Sequence, residues 1–136
     1  MIPRYRAWDK EFKEMVQVDA LGFDEQIIKA TYKNGNIVKE DLKNYVLMQS
    51  TGLRDKNGKE IFEDDIIAIE VEGLEAPVNA KVFCNNDIGV LMFHVFEDDE
   101  DNPMVELIED NLVSFAVIGN IWEDGELLDV ENTEEN

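Results

Sequence analysis

The chain is poor in the residues on which most enzymatic chemistry depends. Among its 136 residues there is one cysteine, Cys84, and one histidine, His94. A single cysteine excludes an internal disulfide and any all-cysteine zinc centre, and it fits a reducing cytoplasm. A single histidine excludes the paired-imidazole metal motifs. Neither a phosphate-cradling glycine loop nor a dinucleotide-binding fingerprint is present. Apolar runs are short as well: none approaches the roughly 20 residues needed to span a bilayer. The opening segment Met1–Arg6 also lacks the apolar stretch of a secretory signal. The expectation is a cytoplasmic, non-enzymatic protein without a cofactor or a resident metal.

Cations are the second scarcity, and it is uneven. Residues 1–60 carry 11 Lys/Arg against 10 Asp/Glu, whereas residues 61–136 carry only Lys81 against 22 acids. The formal charge of −20 therefore arises almost wholly in the second half. Its magnitude lies well beyond the roughly 2–8 that keeps a small domain soluble. A field of that sign repels phosphate backbones and anionic lipid, and attracts basic protein surfaces. Direct nucleic-acid or membrane binding is not expected, and a protein partner with a basic surface is. Self-association into a homo-oligomer stays open.

What is abundant is strand signal. The segments 2–8 and 12–18 are short apolar-aromatic runs joined by Asp9-Lys10-Glu11. Asn34-Gly35 and Asn57-Gly58 are hairpin turn dipeptides, able to adopt positive φ at both central positions. Between them, Val38, Leu42 and Tyr45 have near-helical spacing and predict a single helical turn. Ile67, Ile69 and Val71 alternate with Ala68, Glu70 and Glu72, the pattern of a half-buried strand, and Val78, Ala80, Val82 and Cys84 share the face of the next. A long apolar run, 88–96, is broken by the acidic stretch 97–103, and 112–122 supplies a last strand interrupted at Gly119. The fold class predicted is mainly β: an N-terminal β-rich lobe over 1–58, an SH3-like small barrel over 59–128, and an acidic, disordered tail over 129–136.

Possible chemistry is thin. Cys84 and His94 flank the turn at Asp87 at unequal distances, so a thiol–imidazole dyad needs a register the spacing does not favour. The run Asp98-Asp99-Glu100-Asp101 lacks the alternating ligands and glycine of a calcium loop. Glu63, Asp64 and Asp65 offer carboxylates for a magnesium ion, but consecutive acids are more often a solvated loop. The charged hairpin Arg54, Asp55, Lys56 and Asn57, together with Glu63, Asp64 and Asp65, is the candidate interaction surface. Trp8 and Trp122 join it because each lies beside a charged turn, where an exposed aromatic anchors a partner.

Three segments carry a family likeness. They are Arg6-Ala7-Trp8-Asp9, the long stretch Met48-Gln49-Ser50-Thr51-Gly52-Leu53-Arg54-Asp55-Lys56-Asn57-Gly58-Lys59-Glu60-Ile61-Phe62-Glu63-Asp64-Asp65-Ile66, and Val117-Ile118-Gly119-Asn120-Ile121-Trp122-Glu123 with Leu127-Leu128 after it. Together they resemble the YopX family of small proteins found in phages and prophages. The family usually has glycine where this chain has Asp64. The resemblance implies a β-rich fold with an SH3-like barrel in the C-terminal half, and expression from a phage or prophage gene in a bacterial cytoplasm. It implies no established activity, so no catalytic residue is carried over. The leading expectation is an accessory protein that binds a host or phage protein through its acidic surface. The alternatives are a DNA mimic that occupies a DNA-binding enzyme, or a hydrolase using carboxylates and a divalent metal.

Overall fold

The computed structural model describes residues 4–128. It is built mainly from β-strands in two antiparallel sheets, as the alternation predicts. The chain divides into two compact units between Ser50 and Thr51. That division falls upstream of the boundary expected at residue 58, because the Asn57-Gly58 hairpin and the strand leading into it belong with the second unit. The expected acidic tail, 129–136, lies outside the described residues.

In the first unit β1 (Tyr5–Asp9), β2 (Glu14–Gly22), β3 (Ile27–Thr31), β4 (Ile37–Asp41) and the start of β5 (Tyr45–Arg54) stand in the order β4-β3-β2-β1-β5. The helical turn predicted over 38–46 is confined to a 3-10 turn at Leu42–Asn44, since Val38 belongs to β4. Pairing sets Ala7 beside Val16 and Leu47, and Ala30 beside Val18 and Val38. These side chains, with Ile28 and Tyr45, form a small core. At its edge the Tyr32 hydroxyl donates to Asp9 and lies 2.7 Å from the Tyr45 hydroxyl, which donates to Glu40 Oε1 at 2.7 Å. Burial and the Asp9 hydrogen bond push the Tyr32 phenol up to about 12, and burial with the Tyr32 and Glu40 bonds raises Tyr45 further. Both phenols stay protonated across the physiological range.

The second unit holds the end of β5 and then β6 (Glu60–Phe62), β7 (Asp65–Val71), β8 (Val78–Asn85), β9 (Val90–Val95), β10 (Glu100–Pro103), the five-residue helix α1 (Val105–Glu109) and β11 (Val113–Asn120). β6 is the neighbour of β5, and the others form a sheet of order β10-β9-β8-β7-β11. Ile67, Ile69, Ala80, Val82, Phe93 and Val95 point to one face and pack with Ile61, Met104 and Leu107. This core realises the alternation read from 67–84.

The expected small barrel is corrected: the described strands form an open sheet, with β10 and β11 at its edges. Closure would require those two edges to hydrogen-bond. β10 is only four residues long, ends on Pro103, which has no N–H to donate, and gives way to α1. The acidic stretch 97–103, expected only to interrupt the strand run before it, contains the short strand β10. His94 helps hold it there, with Nδ1 2.6 Å from Asp101 Oδ1 and Nε2 3.3 Å from Asp99 Oδ1.

Candidate functional site

The long signature around Asn57-Gly58 is a structural lock rather than a free loop. Gly58 has φ +82, with open space around the position a Cβ would take, and its amide donates to Asp55 O at 2.9 Å. The Asp55 side chain closes the turn. Oδ1 accepts from the amides of Asn57 at 2.9 Å and Lys59 at 2.8 Å, and Oδ2 accepts from Val117 N at 2.8 Å, 62 residues away on β11. The adjacent Lys56 amide donates to Phe115 O at 3.0 Å. The hairpin is thus pinned to β11, and Asp55 is only 7% exposed. Burial pushes its carboxyl up, but the bonds from Val117, Lys59 and Asn57 outweigh burial, and the net displacement is below the ordinary carboxylate value.

A second turn grips the far end of β11. Asp64 has φ +70, the left-handed conformation that favours glycine and that aspartate adopts more readily than most residues. Its amide donates to Val82 O at 2.8 Å and its carbonyl accepts from Ile121 N at 3.0 Å. Its Oδ2 accepts from the Trp122 indole N–H at 3.0 Å. Asp65, 1% exposed, accepts from Phe62 N at 2.8 Å. Asp64 and Asp65 therefore spend oxygens on internal donors, and among the described residues no group of three or more His, Cys, Asp or Glu is placed to hold a metal.

The turn at Asp64 gives a direct test. Replacing Asp64 by asparagine, which tolerates left-handed φ and keeps a side-chain acceptor, is expected to change stability by less than about 0.5 kcal/mol. Alanine combines the conformational penalty with loss of the indole bond, and is expected to cost about 2 kcal/mol. Urea unfolding followed by tryptophan fluorescence measures both.

The proposed contact residues separate accordingly. Trp8 is a core residue, 8% exposed, because β1 lies between β2 and β5 and sets Trp8 against Met15 and Val46. Being next to a charged turn does not bring it to the surface. Asp55 and Asp65 are buried too, while Trp122, Glu63 and Asp64 are half-buried. Arg54, Lys56 and Asn57 are exposed, but Arg54 Nη1 donates to Gly58 O at 2.8 Å and Lys56 Nζ pairs with Glu70 Oε1 at 3.1 Å. Cys84 lies opposite Leu91 and His94 opposite Lys81, which puts them on different faces of the sheet and leaves no dyad.

What remains as a surface is the acidic exterior of the second unit. Residues 1–50 carry eight cations and eight acids, net zero, whereas residues 51–136 carry four against 24, so the whole −20 lies in that unit. Lys81, the one cation after Lys59, stands 5.7 Å above the centre of the Phe83 ring. Exposed apolar residues sit among these carboxylates: Val105 and Ile108 one turn apart on α1, beside Glu106 and Glu109, and Leu112 just beyond Asp110. Leu107, on the other side of α1, is buried in the core. Sequence reading passed over these residues. The available signal was an isolated apolar residue within an otherwise acidic stretch, as in Gly73-Leu74-Glu75 and Asp110-Asn111-Leu112.

Fold and signatures converge on one class, the small mainly β proteins of the YopX type. The YopX protein family matches residues 4–129, and the chain belongs to that family. It is similar to the crystal structure of protein EF1440 from Enterococcus faecalis, with a TM-score of 0.63 and 29% identity over 94% of this chain and 99% of that one. It is also similar in fold to the crystal structure of protein yopX from Bacillus subtilis, with a TM-score of 0.62 and 22% identity over 92% and 97% of the two chains. Comparison with curated proteins gave no match. No helix among the described residues is long and apolar enough to cross a membrane.

Proposed function

We propose that this YopX-family chain is a non-enzymatic accessory protein, encoded by a phage or prophage and acting in the bacterial cytoplasm. Its second unit recognises a basic surface on a protein partner. The observation that carries this reading is the placement of charge: the first unit is neutral, and the second holds the entire excess of 20 negative charges. A potential of that sign steers a cationic partner to the surface and raises its association rate. The exposed Val105 and Ile108 beside Glu106 and Glu109 then provide apolar area to bury once the partner has arrived. The hairpin over 54–59 stays with β11 and orders the unit that bears the surface.

Fluorescence anisotropy with a labelled amphipathic lysine-leucine peptide and, separately, with duplex DNA tests the reading. The peptide is expected to bind at low ionic strength and to weaken as salt rises, because exposed charges are screened within about 8 Å at physiological ionic strength. The duplex is expected not to bind. Peptide affinity that does not respond to salt would overturn the steering mechanism. A DNA mimic is separated from this reading by adding a DNA-binding enzyme with its duplex: a mimic displaces the DNA in a salt-sensitive way.

A further inference from the structure

One recess in the second unit combines apolar side chains with two carboxylates, those of Glu72 and Glu75, that have no ion-pair partner among the described residues. The β7–β8 connection and the start of β11 border an open recess of about 290 Å³, lined by Glu70, Glu72, Leu74, Glu75 and Leu112 among others. The backbone holds its shape: Glu72 N donates to Leu112 O at 2.8 Å, and Leu74 N to Val71 O at 3.0 Å. Leu74 and Leu112 are 59% and 56% exposed, so both leave apolar surface in water inside one concavity. Glu70 already receives an ammonium group, that of Lys56 at 3.1 Å. Glu72 and Glu75 have no ion pair among the described residues, and both are exposed on the same rim.

The volume selects the occupant. It lies just below the roughly 300–1,000 Å³ of small-molecule sites and is the space of about ten waters, enough for one long side chain. A side chain that satisfies both linings needs an aliphatic stem for the leucines and a cationic head for the glutamates. Lysine and arginine have that construction and bury the stem while the charge stays at the rim. We propose that the Leu74–Leu112 recess is a subsite for a lysine or arginine side chain from a basic segment of the partner protein. The inference rests on the reading of the second unit as an acidic recognition surface, and adds where on it a cationic side chain is received.

The test uses the full chain and a peptide of alternating lysine and alanine, with leucine methyl resonances and anisotropy as readouts. The Leu74 and Leu112 methyls are expected to shift saturably with the peptide. The L74S/L112S variant, which leaves net charge unchanged, is expected to weaken binding roughly fivefold, a loss of about 1 kcal/mol. The E72Q/E75Q variant is expected to weaken it by at least as much. The control E97Q/D98N removes the same two charges from the exposed loop before β10 and is expected to change affinity by less than about twofold. If the peptide binds but the leucine methyls stay still and all three variants weaken it alike, the recess is not the subsite, while the acidic-surface reading stands. If the peptide fails to bind at low salt, both fall.

Discussion

Replacing Asp55 by alanine is expected to be the most destabilising single change on the surface-bearing unit, costing about 3–5 kcal/mol. The carboxylate serves three backbone donors at once, and two of its three bonds close the turn while the third ties that turn to Val117 on β11. Hydrogen bonds to a charged group contribute about 1.5–3 kcal/mol each, and a buried donor left alone keeps its full desolvation penalty. Asparagine is not a neutral replacement. Both carboxylate oxygens accept, so an amide must turn its NH2 toward either Val117 N or the Asn57 and Lys59 amides. Asp55→Asn is therefore expected to cost about 2 kcal/mol or more. Equilibrium urea unfolding measures both variants.

The same residue predicts a pH dependence with a definite sign. The Asp55 carboxyl titrates below its ordinary value of 3.8 in the folded protein, so the folded state binds fewer protons than the unfolded state in that region. Its contribution is present in full above that value. It is lost as pH falls from there through the lower, folded-state value. In Asp55→Asn this component is absent, so the stability difference between wild type and variant is expected to shrink on acidification below pH 3.8.

The second large effect is expected at Gly119. A Cβ there would lie 2.5 Å from Asp124 Oδ2, 2.7 Å from its Cγ and 3.0 Å from its Cβ. Those atoms are not free to leave, because Asp124 Oδ2 accepts from Asn120 N at 3.0 Å and Asp124 N donates to Asn120 O at 3.0 Å. Asn120, 6% exposed, in turn holds the amides of Trp122 at 2.9 Å and Glu123 at 2.8 Å. Gly119→Ala is expected to cost about 2–3 kcal/mol through overpacking and the displaced carboxylate. In an Asp124→Gly background most of that cost is expected to disappear, giving a coupling of about 1–2 kcal/mol in a double-mutant cycle. Equal costs in both backgrounds would place the origin of the strain elsewhere.

These two sites also show where sequence reading stops. The turn at Asn57-Gly58 was legible because its chemistry is local: glycine supplies positive φ and an aspartate three residues earlier accepts its neighbours' amides. That the same aspartate reaches Val117 was not, since nothing local encodes a contact across 62 residues. The interruption of the last strand at Gly119 was legible, and it coincides with the register shift between Val117 and Gly119 opposite β7. The alternation of Ile67, Ile69, Ala80 and Val82 placed the core correctly because its period is that of a strand. β10 was missed for the opposite reason. Glu100 and Asp101 have low strand preference, and their place beside β9 depends on tertiary pairing with Val95 and His94. Helix α1 is too short for periodicity to register, although Met104 and Leu107 anchor it in the core. Charge and aromaticity near a turn do not encode burial, and Trp8, Asp55 and Asp65 are buried although each lies at or beside a charged turn.

Association and dissociation kinetics with the lysine-leucine peptide test the central claim most directly. The claim is that the acidic exterior of the second unit around α1, and not the hairpin over 54–59 of the same unit, meets the partner. E106Q/E109Q is expected to slow association and flatten its salt dependence, V105S/I108S to speed dissociation with association little changed, and R54Q/K56Q to leave the complex at least as tight as wild type. A complex that is lost in R54Q/K56Q and untouched by both α1 variants would contradict the account and return the binding site to the hairpin.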